Sequence, residues 1–240
     1  MIQLEGVTKR FGGYTAVEDV SFVAQSGQVY GLVGYNGAGK TTLLKTMAGV
    51  FLPDAGKVSF DGVDVHGGLD AEHAPYIVAD EPYFLPQATP RSMRNFTSGY
   101  YPRWSDKVFD NLLELFGLDP GAKIAGFSKG MQRQCGLLLG LSSGARYLLL
   151  DESFDGLDVS KRSILKRLLK LYARTCDATV VLSSHNMDEL RDVSDRIGMI
   201  RDHRLAFDKP AAEFSGGELD RLFLEGEEVA DDELEAVFVW

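Results

Sequence analysis

Cysteine is nearly absent from this 240-residue sequence: Cys135 and Cys176 are the two present, and they match no metal-ligand or redox spacing. Both fall in stretches that read as helices, where buried free thiols are expected, and nothing in this usage calls for an oxidising compartment. Long apolar runs are also missing. Those at residues 147–150 and 179–182 are strand-sized, far short of the ~20 residues that a membrane-spanning helix requires. The opening Met1-Ile-Gln-Leu-Glu-Gly-Val lacks a basic start followed by an apolar core, so no signal peptide is expected. Positive charge is scarce as well. The 25 Lys and Arg stand against 35 Asp and Glu, a net charge of −10, which speaks against a nucleic-acid-binding surface over much of the chain. There is no internal repeat and no low-complexity linker. These absences lead to the expectation of a cytoplasmic protein whose contact with a membrane, if any, runs through a partner.

What is present is the composition of an ordinary globular chain, 45% hydrophobic and 25% charged. A chain of this size buries roughly 70–75% of its extended surface and needs no disulfide staple. Part of the acidity is local: residues 225–235 carry seven carboxylates and no basic residue. The segment 216–240 therefore reads as a solvated acidic tail. Elsewhere, short β-type runs alternate with helical patterns, which predicts an α/β fold with a parallel sheet flanked by helices. Probable strands are residues 28–33, 147–150, 179–183 and 197–200. Residues 160–172 place Ile164, Leu165, Leu168, Leu169, Leu171 and Tyr172 at amphipathic-helix spacing. Two regions break the alternation. Residues 1 to about 25, with 57–60, read as antiparallel strands, and residues 82–141 hold helical patterns and no convincing strand. The expected organisation is an α/β core with an antiparallel β subdomain at 1–81 and 142–215, interrupted by a helical subdomain at 82–141.

The strongest local signal is Gly34-Tyr-Asn-Gly-Ala-Gly-Lys-Thr41, which matches G-x-x-x-x-G-K-[ST] between a strand and a helical stretch. Glycines let successive backbone N–H groups turn inward around a phosphate, and the following helix adds the partial positive charge of its N-terminus. Lys40 can reach the β- and γ-phosphates, and the Thr41 hydroxyl can ligate Mg²⁺. The phosphate-binding set is thus Gly34, Asn36, Gly37, Ala38, Gly39, Lys40, Thr41 and Thr42. A counterpart lies at Tyr147-Leu-Leu-Leu-Asp-Glu152, an apolar strand ending in two carboxylates. On a strand buried on both faces, charge is tolerated at the carboxyl end, where ligands bind in such sheets. Asp151 is placed to hold Mg²⁺, and Glu152 to polarise a water that attacks the γ-phosphate.

From residue 1 to about 205, motif identity and order resemble the nucleotide-binding subunits of ABC transporters. Phe127-Ser-Lys-Gly-Met131 is similar to the family's signature loop, usually written LSGGQ, at the start of a helix. The resemblance implies that Ser128, Lys129, Gly130 and Met131 face the γ-phosphate of ATP on a second subunit, in a head-to-tail pair of identical or different chains. Asp155-Gly-Leu-Asp158 resembles the loop that couples the two sites, and Ser183-Ser-His185 resembles the switch loop whose histidine, here His185, contacts the γ-phosphate. Phe11 matches the aromatic residue that stacks on adenine, with Tyr14 as a second candidate. Catalysis is thereby expected from Glu152, His185 and Lys40, with ATP and Mg²⁺ as ligands and Thr41, Asp80 and Asp151 around the metal.

Three departures stand out. Asp80 occupies the place of the family's γ-phosphate-sensing glutamine and adds negative charge near the phosphates. Lys129 and Met131 replace Gly and Gln in the signature, and Ser153-Phe154 replaces the usual Pro-Thr after Glu152. Lys40, Asp151, Glu152 and His185 all remain, so a competent ATPase is expected. Tyr83, Phe84, Phe96, Tyr100, Tyr101 and Trp104 crowd residues 82–104, the region that in the family receives a coupling helix from the membrane permease subunit. The resemblance therefore implies a transporter motor, peripheral on the inner face of the cell membrane, with no nucleic-acid partner. The alternative is a soluble ATPase of the same type that acts on ribosomes or DNA, or as a regulator, without a permease.

Overall fold

The computed structural model describes residues 1–68, 70 and 72–214. The acidic segment 216–240 lies outside the described residues. Apolar residues alternate along β1 (Ile2–Phe11) and β2 (Tyr14–Ala24), which pair antiparallel and bury Ile2, Leu4, Val20 and Phe22. β3 (Val29–Val33) is apolar at nearly every position because both of its faces are covered. It leads into α1 (Lys40–Met47). β4 (Ala55–Phe60) and β5 (Val63–Asp64) then complete a four-stranded antiparallel sheet in the order β2-β1-β4-β5.

β6 (Tyr76–Val78) opens the path into a helical stretch: α2 (Pro90–Thr97), α3 (Asp106–Phe116) and α4 (Lys129–Ser142). The starts of these helices are written locally. Thr89 and Ser92 form a reciprocal capping box with Pro90 between them, and Ser105 and Ser128 each accept a backbone N–H from three residues on. The second half of α4 is buried, with Gly136 and Gly140 lying against Val78 and Tyr76 of β6. The chain returns through β7 (Tyr147–Leu150), α5 (Val159–Cys176), β8 (Thr179–Ser184), α6 (Met187–Val193), β9 (Arg196–Arg201) and β10 (Arg204–Pro210). These strands form a six-stranded sheet in the order β10-β9-β3-β8-β7-β6, parallel except for β10.

The sheet separates two cores. Val29, Val33, Leu148, Leu150, Val180 and Leu182 face α4, α5 and α6 on one side. Tyr30, Leu32, Tyr147, Leu149 and Val181 face α1 and the antiparallel sheet on the other. Phe22 stacks on Tyr30 at 4.5 Å and Phe60 on Tyr147 at 4.4 Å, so aromatic pairs join the two sheets. Cys135 is buried and unpaired, and Cys176 closes α5, half-buried. Strands expected at 28–33, 179–183 and 197–200 differ from the observed ones by a residue or two at their ends. β5, β6 and β10 lie outside the strands expected from the sequence: the first two have two and three residues, and β10 is a half-exposed edge strand in which Arg204, Asp208 and Lys209 interrupt the apolar residues.

Candidate functional site

The glycine-rich turn sits where β3 ends at the centre of the parallel sheet. Gly39 adopts φ 109°, and a Cβ there would lie 2.1 Å from the Ala16 carbonyl, so both conformation and space demand glycine. A Cβ at Gly34 would lie 2.5 Å from the Ile200 carbonyl at the end of β9. Ala38 donates its N–H to Tyr35 O at 3.1 Å, folding the loop back on itself. Lys40 opens α1, only 5% exposed, and its Nζ donates to Gly34 O at 2.6 Å and Tyr35 O at 3.1 Å. A cleft of about 310 Å³ opens over this loop, lined by Asn36, Gly37, Lys40, Thr41, Thr42, Tyr14, Asp80 and Glu152 among others.

The carboxylates at the end of β7 reach the same place. Asp151 is 2% exposed. Ser183 donates its hydroxyl to Asp151 Oδ1 at 2.7 Å, and the Thr41 hydroxyl bonds to the same side chain. Burial holds the Asp151 carboxyl above the usual carboxylate range, against the two hydrogen bonds, while the charges of Glu152 and Asp80 push the same way as burial. Glu152 takes the left-handed backbone conformation, φ 45°, which costs a non-glycine residue about 1 kcal/mol. That turn sends its side chain back toward the loop. Oε1 lies 3.2 Å from Lys40 Nζ, Oε2 lies 3.0 Å from His185 Nδ1, and Oε2 also accepts the His185 backbone N–H at 3.2 Å. Asp155 stands close enough that one ligand atom each from Glu152, Asp155 and His185 lie within 4.8 Å of one another.

The other expected residues are distributed around this centre. Ser128 caps α4 by accepting the Met131 N–H at 3.3 Å, and Gly130 lies so near the Asp155-Gly156 turn that a Cβ would come 2.6 Å from Gly156 O. Lys129 projects into solvent, 88% exposed. None of Ser128, Lys129, Gly130 or Met131 lines the cleft over the glycine-rich turn. Phe11 packs edge-on against Phe51 at 5.2 Å and is not part of that lining, whereas Tyr14 is, edge-on to His203 at 5.4 Å. Asp80 lines the cleft and is held by Arg133 of α4, whose Nη2 pairs with Oδ1 and whose Nε donates to the Asp80 carbonyl at 3.0 Å. Two contributors have no role that the sequence motifs assign. Ser183 ties the Asp151 carboxylate to the Glu152 backbone, since its hydroxyl donates to Asp151 Oδ1 and also accepts the Glu152 N–H at 3.1 Å, and Arg133 holds Asp80. Ser183 had a signal, its place two residues before His185. Arg133 had only the unexplained acid at position 80.

The fold recurs among known proteins. The family described as ABC transporter matches residues 17–155, over half of the chain. Among curated relatives, the ABC transporter ATP-binding protein YtrB of Bacillus subtilis is 27% identical across 85% of this chain and 70% of its own length. The Fe(3+) ions import ATP-binding protein FbpC 1 of Rhodococcus jostii is 32% identical across 90% of this chain and 67% of its own length. The Nod factor export ATP-binding protein I of Burkholderia lata is 35% identical across 85% and 68%. A solved ATP-binding subunit of an ABC transporter superposes with a TM-score of 0.81 at 22% identity over 98% of both chains. A dimeric post-hydrolysis ATP-binding cassette bound to ADP and Pi superposes with a TM-score of 0.78 at 21% identity over 89% of this chain and all of its own. With a nucleotide-type glycine loop, a strand-end carboxylate pair and this fold in one place, the chain belongs to the ABC transporter family as one of its ATP-binding cassettes.

Proposed function

We propose that the chain hydrolyses ATP as the motor subunit of a transporter, pairing with a second nucleotide-binding subunit and driving a separate membrane-spanning permease. The observation that carries this reading is the chain of contacts Lys40–Glu152–His185 at the mouth of the glycine-rich turn. Lys40 presents a desolvated cation where phosphate charge would lie, as the N–H groups at the start of α1 do. Glu152 accepts hydrogen bonds and takes a proton from the attacking water, and His185 orients Glu152 through its ring and backbone nitrogens.

The donor set also fits Mg²⁺. Asp151 is a buried carboxylate whose charge burial disfavours, bonded to the Thr41 hydroxyl that lines the cleft, and a hard dication on oxygen ligands would offset that cost. When bound, the ion would neutralise phosphate oxygens. Asp80 stands at the rim of the cleft with its carboxylate held by Arg133, outside this ligand set. The Ser128-Lys129-Gly130-Met131 turn, outside this cleft and at the start of α4, suits a γ-phosphate presented by a second subunit, and Tyr14 or Phe11 would meet the base.

The relatives named for iron import and Nod factor export are ATP-binding proteins of transport systems, which supports a permease partner. Among the described residues no helix is long and apolar enough to cross a membrane, so attachment at the inner face of the cell membrane would run through that partner. Phe96 and Tyr100, exposed beside a hollow of about 530 Å³ lined by Tyr76, Met93 and Tyr101, offer it an aromatic seat.

The test is ATPase rate against protein concentration for the wild type and Glu152→Gln. A rate that rises more steeply than linearly, is abolished in the variant, and is accompanied by an ATP-dependent dimer of that variant supports a self-pairing motor. A linear rate unaffected by Glu152→Gln would sink both the pairing and the base.

A further inference from the structure

Two carboxylates, Glu152 and Asp80, line the cleft and a third, Asp151, is buried beside it, and each has a different counterweight. Glu152 is matched by Lys40 at 3.2 Å, and Asp151 by hydroxyl hydrogen bonds. Asp80, at the rim, bears a charge that Asp151 feels, and its match comes from another element. Arg133 stands in the second turn of α4, with its side chain 14% exposed. One edge of its guanidinium pairs with the Asp80 carboxylate and donates to the Asp80 carbonyl. The remaining nitrogen, Nη1, lies 3.2 Å from where a Cβ on Gly156 would stand, so the group is packed against the turn after Glu152. Three residues earlier on the same helix, Gly130 lies so close to that turn that a Cβ there would come 2.6 Å from Gly156 O.

We propose that Arg133 is a positioning residue for the nucleotide: it neutralises Asp80 at the rim of the cleft and fastens the start of α4 to that rim. The inference rests on ATP being the ligand of the cleft. An unmatched carboxylate at that place repels phosphate, and at the intermediate dielectric of such a rim one full charge a few ångströms away outweighs a single neutral hydrogen bond. Removing Asp80 alone errs in the other direction by stranding a nearly buried guanidinium. Only the pair together leaves the cleft balanced. The two-point hold on side chain and carbonyl needs the fork of arginine. Lysine supplies the charge alone.

The experiment is calorimetric binding of Mg²⁺ with a non-hydrolysable ATP analogue to the full chain, with melting midpoints measured alongside. Arg133→Gln is expected to weaken binding by roughly tenfold or more, with a loss that shrinks as salt is raised. Asp80→Asn combined with Arg133→Gln is expected to return to within about threefold of the wild type. Arg133→Lys should keep most of the affinity while lowering the melting midpoint. Unchanged binding in folded Arg133→Gln, or a double variant as weak as the single one, overturns the proposal. If Arg133→Gln does not fold, Arg133→Lys decides: a tenfold loss of affinity there would refute the charge role. A wild type that binds no analogue at all overturns the ATP reading itself, an outcome separate from any difference among variants.

Discussion

Lys40 shows how a single residue is committed by its surroundings. At 5% exposure its ammonium has little water to fall back on, and its partners are two loop carbonyls and the Glu152 carboxylate. None of these partners would compete strongly with a triphosphate, because carbonyls are neutral and Glu152 keeps a second partner in His185. Lys40→Met retains the aliphatic stem and deletes the charge. Its expected effect is a loss of ATPase rate of at least about a hundredfold, together with lost nucleotide binding, read by steady-state phosphate release and by calorimetry. Glu152→Gln should behave differently, binding nucleotide and failing to turn it over. A Lys40→Met protein that binds ATP as tightly as the wild type would remove the lysine from the phosphate site.

At the scale of elements, the helical stretch is tied together by charge as well as by its apolar residues. Asp106, the first residue of α3, accepts from Trp104 Nε1 at 2.7 Å and pairs with the Arg94 guanidinium of α2. The Arg94 hydrogen bonds, then Trp104, hold the Asp106 carboxyl below the usual carboxylate range. A carboxylate with a folded pKa lower than its unfolded one adds stability above the unfolded value and loses it as pH falls through the folded value. Asp106→Asn should therefore lower the melting midpoint slightly at neutral pH, slightly because the group is exposed. The difference should vanish once the pH falls below the carboxylate range, and melts recorded across that range would test it. How much was legible in the sequence follows the same division between local and distant. β3, β7 and β8 announce themselves because both faces are buried and each carries a short apolar run, residues 180–182 in β8. The glycine turn, the capped helix starts and the carboxylate pair are likewise local patterns. The three residues of β6, the half-polar edge β10, and the Asp80–Arg133 pair across 53 residues are set by tertiary contacts, for which no short window carries a signal. Asp80 in isolation reads as a defect, and only the fold supplies its partner.

On the scale of the whole molecule, one face remains without an internal reason. Of the six aromatics crowded into residues 82–104, Phe84 and Trp104 pack against the core, and Tyr101 donates its hydroxyl to Pro75 O at 3.0 Å. Tyr83, Phe96 and Tyr100 remain 83%, 58% and 61% exposed, and the Phe96 and Tyr100 rings meet at 5.1 Å. Clustered exposed aromatics beside a hollow have the composition of an interface anchor, where truncation of one such ring typically costs about 2 kcal/mol or more of binding. Being exposed, they contribute little to the fold. The double change Phe96→Ala with Tyr100→Ala should therefore leave the melting midpoint and the ATPase rate of the isolated chain within about twofold of the wild type. The same change should reduce co-purification with the proposed permease partner, and the ATPase rate stimulated by it, by roughly tenfold or more. Equal losses in the isolated chain and in the complex would mean that these rings stabilise the helical stretch itself, and the permease would then have to dock elsewhere. A selective loss in the complex would place the contact on the same helical stretch as Arg133, so that movement of α4 at the cleft and force on the permease would pass through one set of helices.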